Sequence, residues 1–206
     1  SDLPISGGPS LECQVVNMAD EIAYNCHDVD DGLSSGIIQE EQLESVSIWK
    51  RHIDRVKKDY TDAGQKMRRH IIVRMLINEL VTDLLNQSSL NIAAGNPRNA
   101  DDIRNNPEPL LEFSHSMEKE NQKLKEFLQD NMYRHSKMVR MAEKAKKIIS
   151  EIFNIYINNP HTLPPHVKAL LKSEPAYQVV ADYIAGMTDR FAAAEYRKLI
   201  DPYEKM

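Results

Sequence analysis

Helix-length amphipathic stretches alternate along the chain with short polar or Pro-containing breaks. No Pro and no internal Gly lies between Ser10 and Gly32, so a helix is expected over residues 11–31, capped by Ser10 and stopped at Gly32. On a 3.6-residue period Met18, Ile22, Cys26 and Val29 share one side, which is the side to be buried. Asp20, Tyr24, His27, Asp28 and Asp31 fall within about 100° of one another on the opposite side.

Further along, Ile48, Trp49, His52, Ile53 and Val56 keep a 3–4 spacing over residues 47–60, with Trp49 as a core anchor. A short helical piece is expected between Ile37 and Val46, after the Gly32–Gly36 turn. Residues 65–90 read as one long helix with two apolar rows, Ile71–Met75 and Ile72–Leu76–Leu80–Leu84. The polar, Pro-containing connection 91–109 is the expected boundary between subdomains. Beyond it, Met117, Leu124, Phe127, Leu128 and Met132 mark a helix over 112–132 that carries into a second long helix stopped by Pro160. A Pro-started short helix follows in HTLPPHVKALL, and residues 176–200 read as one last helix. Ala181, Ala185 and Gly186 on that helix would admit a close neighbour. Strand-like alternation is missing over any useful length, so the fold class is all-α.

Composition narrows the picture. With 41% hydrophobic and 28% charged residues the chain reads as a soluble globular protein. No apolar run approaches the roughly 20 residues of a membrane span, and the N-terminus has no basic-plus-apolar signal segment. Cys13 and Cys26 lie on one expected helix, about 20 Å apart, and cannot bridge. Two unpaired thiols suit a cytoplasmic location. Residues 1–49 hold ten acids and no Lys or Arg, whereas all 26 basic residues fall after them. That split suggests an acidic pole for a cation and a basic surface for an anion.

The outward stripe of the first helix sets carboxylates at i, i+8 and i+11, Asp20, Asp28 and Asp31, with a phenol among them. Hard divalent cations are held by carboxylate oxygens brought close together. An ordinary solvated acidic face explains the same residues, but the stripe carries no Lys or Arg to offset its charge. The stretch DEIAYNCHDVDDG, Asp20 to Gly32, resembles the last metal-ligand helix of the deoxynucleoside triphosphate triphosphohydrolases, a branch of the HD-domain phosphohydrolases. LKEFLQDNMYRH, Leu124 to His135, and DYIAGMTDRFA, Asp182 to Ala192, resemble the same family in the same order.

The resemblance implies a multi-helical HD-domain-like array, with residues 1–95 as the C-terminal part of the catalytic domain and 96–206 as a helical region packing on it. It implies Asp20 as a ligand of a divalent metal such as Mg or Mn, and Tyr24 and Asp28 as walls of the nucleotide pocket. The activity it implies is hydrolysis of a deoxynucleoside triphosphate to the deoxynucleoside and inorganic triphosphate. Homo-oligomers are expected from it as well. The upstream His and His-Asp ligands of the family have no counterpart here: the one HD dipeptide, His27-Asp28, belongs to the later motif. The chain therefore reads as the C-terminal part of a longer protein, inactive alone and binding metal weakly.

Nine basic residues and three Asp lie between Lys50 and Arg74, and Lys66, Arg68 and Arg69 are the candidates to face nucleotide phosphates. Six basic residues and one acid lie between Arg134 and Lys147, where Arg134, Lys137 and Arg140 are candidates for a second, effector nucleotide. Asp189 and Arg190 are expected to pair structurally. The alternative function is a non-catalytic helical module for oligomerisation or nucleic-acid binding, which the basic stretches favour. Only 6% of residues are aromatic and no helix-turn-helix or RNA-binding signature is present, which speaks against nucleic acid.

Overall fold

The computed structural model describes residues 7–203 and is all-α, with no strand among the described residues. Two compact units divide at His135 and Ser136. No helix among the described residues is long and apolar enough to cross a membrane.

The first unit contains α1 (Leu11–Ser34), α2 (Glu40–Leu43), α3 (Ser47–Asp59), α4 (Gln65–Gly95), α5 (Ala100–Arg104) and α6 (His115–Leu128), followed by one wide π-helical turn, Gln129–Tyr133. Ser10 caps α1 by accepting from the Cys13 amide, as expected. Gly32 does not end the helix, which runs two residues further. Its role is packing: a Cβ there would stand 2.9 Å from Cγ1 of the buried Ile38. The α1 residues Ile22, Cys26 and Val29 meet Trp49, Ile53 and Val56 of α3, Ile72, Leu76 and Leu80 of α4, and Leu124 and Leu128 of α6 in one core. Trp49 is fully enclosed, a core anchor as its spacing suggests.

The connection 91–109 lies inside this unit. Five of its residues prolong α4 to Gly95, where Asn96 takes the left-handed conformation (φ 42°) that closes a helix. Asn99 then caps the short α5. The chain returns to the core at Leu110 and Leu111, whose amides both donate to Oε1 of Gln14 on α1, at 2.9 and 3.2 Å.

The second unit contains α7 (Ser136–Asn158), a single 3-10 turn (Pro160–Thr162), α8 (Pro165–Leu170), α9 (Ala176–Ala185) and α10 (Asp189–Ile200). Its core gathers Ile152, Tyr156, Leu163, Val167, Val179 and Val180. The expected single helix over 176–200 is two: Gly186 ends the first, and Thr188 starts the second by accepting from the Phe191 amide. Ala181, Ala185 and Gly186 are exposed, and α9 buries Val179 and Val180 instead. Asp189 serves the first turn of α10, where a negative charge meets the positive helix end. Among the described residues no ion pair joins it to its neighbour Arg190, since adjacent helix positions do not face each other. The two helices expected over 112–132 and on to Pro160 are α6 and α7, with the π-helical turn and Arg134–His135 between them.

Candidate functional site

Helix α1 is held along both edges and open between them. On one edge Glu21, Asn25 and Asp28 form a row one helical turn apart and face α6. Asn121 of α6 donates its amide to Oε1 of Glu21 at 2.7 Å and accepts from Nδ2 of Asn25 at 3.1 Å. Lys125, one turn further along α6, places its ammonium 3.1 Å from the same Glu21 oxygen. Tyr133, at the end of the π-helical turn, donates its hydroxyl to the Asp28 carboxylate. Burial and that carboxylate hold the Tyr133 phenol well above the ordinary tyrosine range, so it remains a donor. On the other edge Asp30 pairs with Arg69 of α4 at 2.7 Å.

Between these edges Asp20, Tyr24, His27 and Asp31 face outward, and Tyr24 is 62% exposed. The residues marked by periodicity therefore do share one face. Asp28 lies at its margin, half-buried, with one carboxylate oxygen engaged by Tyr133 and lone pairs left for another donor.

The phosphate candidates fare differently. Arg68 turns its guanidinium back to the carbonyls of Ala63 (2.6 Å) and Thr61 (3.0 Å), closing the turn before α4. Arg69 is spent on Asp30. Each has a local acceptor that a charge count along the sequence does not reveal. Lys66 remains exposed on the first turn of α4. Arg134 pairs with Asp130 at 2.7 Å, and Lys137 and Arg140 lie exposed at the start of α7.

Sequence reasoning missed Lys125 and Tyr133 as site neighbours. The available signal was LKEFLQDNMYRH itself, which holds the two eight residues apart. Among the described residues no group of three or more His, Cys, Asp or Glu is placed to hold a metal ion. Asp20 offers one exposed carboxylate, and a divalent ion needs several donors. The described residues do not by themselves fit a complete metal centre.

Residues 111–198 match the phosphohydrolase-associated domain, HD_assoc. That segment includes α6 and the π-helical turn, the elements that grip α1. Over 193 residues the chain is 44% identical to a deoxyguanosinetriphosphate triphosphohydrolase-like protein of Bordetella pertussis, covering 94% of this chain and 50% of the relative. The chain is a homologue of the deoxyguanosinetriphosphate triphosphohydrolase-like proteins. The protein of that name from Geobacter sulfurreducens is 40% identical over 198 residues, 96% of this chain and 51% of the relative. Its Ralstonia nicotianae counterpart is 44% identical over 193 residues, 93% and 49% respectively. The chain thus spans about half the length of the deoxyguanosinetriphosphate triphosphohydrolase-like relatives it matches.

Proposed function

We propose that this chain contributes one wall of the active site of a deoxynucleoside triphosphate triphosphohydrolase that releases the deoxynucleoside and inorganic triphosphate, with dGTP in its substrate class. Homology along nearly the whole chain carries this reading. The open face of α1 supports it, since Asp20, Tyr24 and, at its margin, Asp28 follow one another over about two helical turns.

In this reading Tyr24 lies against the sugar and Asp28 accepts a hydrogen bond from the sugar 3′-hydroxyl. Lys125, tied to Glu21 of α1, supplies positive charge toward the triphosphate as its leaving-group charge grows. The resemblance alone brings in a divalent metal, for which Asp20 is the donor this chain offers. Residues 1–95 belong to the catalytic domain and 96–206 to a C-terminal helical region, whose α6 completes the α1 edge. A homo-oligomer, a cytoplasmic setting consistent with free Cys13 and Cys26, and effector-nucleotide binding near Arg134, Lys137 and Arg140 belong to the same proposal.

The test is product analysis on the complete protein with dGTP. Inorganic triphosphate is expected, and Asp20→Ala abolishes its release. Release of orthophosphate instead overturns the reading. So does an absence of turnover together with salt-sensitive binding of single-stranded DNA, which selects the nucleic-acid-binding alternative.

A further inference from the structure

Asn121 is 1% exposed and Asn25 6% exposed, two polar residues buried where α1 packs on α6. Buried amides carry a desolvation cost that is offset only when their donors and acceptors are matched. Here they are matched in series. Asn25 donates to Asn121, Asn121 donates to Glu21, and the Glu21 oxygen that accepts this bond also faces the Lys125 ammonium. The chain of bonds runs from the interior outward and ends on a cation that is half-exposed at the α1 edge.

Two consequences follow from the geometry. The Glu21 carboxylate is held at one oxygen by an enclosed donor, Asn121, whose own acceptor is engaged by Asn25. A Lys side chain, with four rotatable bonds, would otherwise sample many positions; the fixed carboxylate confines its ammonium. We propose that Asn121 is a positioning residue, which acts through Glu21 to set where Lys125 presents its charge. This role rests on the reading above, in which Lys125 faces the triphosphate. Arg51, also in the first unit, is restrained differently, by surface carboxylates Glu79 and Glu120 on separate helices.

The experiment measures kcat, KM and Tm of the complete protein on dGTP for four variants: Asn121→Leu, Glu21→Ala, Lys125→Met, and Asn121→Leu combined with Lys125→Met. Asn121→Leu keeps the branching and number of side-chain heavy atoms and removes the hydrogen bonds. Glu21→Ala breaks the same link at a partly exposed site and decides the matter if the buried change prevents folding. Each is expected to raise KM about tenfold, the worth of one charge-assisted hydrogen bond, with a smaller change in kcat. In the Lys125→Met background, Asn121→Leu is expected to change KM by less than about twofold, because the group it positions is gone. A lowered Tm with unchanged KM overturns the proposal, and so does an equal effect of Asn121→Leu in both backgrounds. Wild-type protein that releases no triphosphate from dGTP is a different result: it overturns the activity itself, and this role with it, before any variant is compared.

Discussion

Asp30 on α1 and Arg69 on α4 stand 2.7 Å apart as a partly buried ion pair. The pair ties the two longest helices of the first unit together on the edge away from α6. Truncating Arg69 to Met leaves the Asp30 carboxylate unpaired where water reaches it poorly. Stability is expected to fall by about 1–3 kcal/mol, and Asp30→Asn in the same chain should recover part of it. Urea unfolding checks this. An Arg69 that served as a ligand contact would instead change nucleotide KM while leaving the unfolding midpoint in place.

Gly32→Ala sets two effects against each other. Alanine in a helix gains about 1 kcal/mol over glycine, but the new Cβ collides with Ile38, which is itself enclosed. Overpacking of that kind costs about 1–3 kcal/mol. Net destabilisation is expected, seen as a lower Tm, and Gly32→Ala with Ile38→Val should be more stable than Gly32→Ala alone. A raised Tm for the single change would show that Ile38 moves aside freely.

Alkaline stability follows from Tyr156. Burial, and then the Glu195 carboxylate that its hydroxyl meets at 2.5 Å, push this phenol well above its ordinary range. Below about pH 10 the folded and unfolded states both keep the proton and the contact contributes fully. Above it the unfolded chain releases the proton and the folded one retains it, so stability falls as pH rises. Tyr156→Phe is expected to lower the urea midpoint at neutral pH and to flatten its decline above about pH 10. Parallel declines for the two proteins would assign the alkaline loss to other groups.

The two cysteines should separate cleanly. Burial pushes the Cys26 thiol up to about 12, and Cys13 is exposed on the first turns of the same helix. Maleimide at about pH 8 is expected to modify Cys13 in the native protein and Cys26 only after denaturant is added, as read by peptide mapping. Equal labelling of both under native conditions would mean that α1 opens readily.

Periodicity was a good guide to α1, because a helix that packs on one side must repeat its apolar residues every three to four positions. Ile22, Cys26 and Val29 are buried, and Asp20 and Tyr24 point away from them. It was a poor guide where a residue serves two purposes. Gly32 reads as a stop signal and is a packing contact. Gly186 and Thr188 sit inside an apolar-periodic run and end one helix and begin the next. Charge was less legible still. Arg68 and Arg69 are adjacent in a basic stretch, yet their partners Thr61, Ala63 and Asp30 lie on a turn and on another helix. The bond between Asp28 and Tyr133 joins residues 105 positions apart, and no local pattern announces it.

The π-helical turn Gln129–Tyr133 closes with the Arg134 amide on the Gln129 carbonyl, five residues back. Such a turn carries one residue more than an α-helical turn of the same rise. In an uninterrupted α-helix of the same sequence Tyr133 would lie about 100° further round the axis, with its hydroxyl off Asp28. Length is therefore what this segment fixes in a mechanical sense: the interval between Leu128 and Tyr133 is a gauge block that sets the reach from one helix to the next.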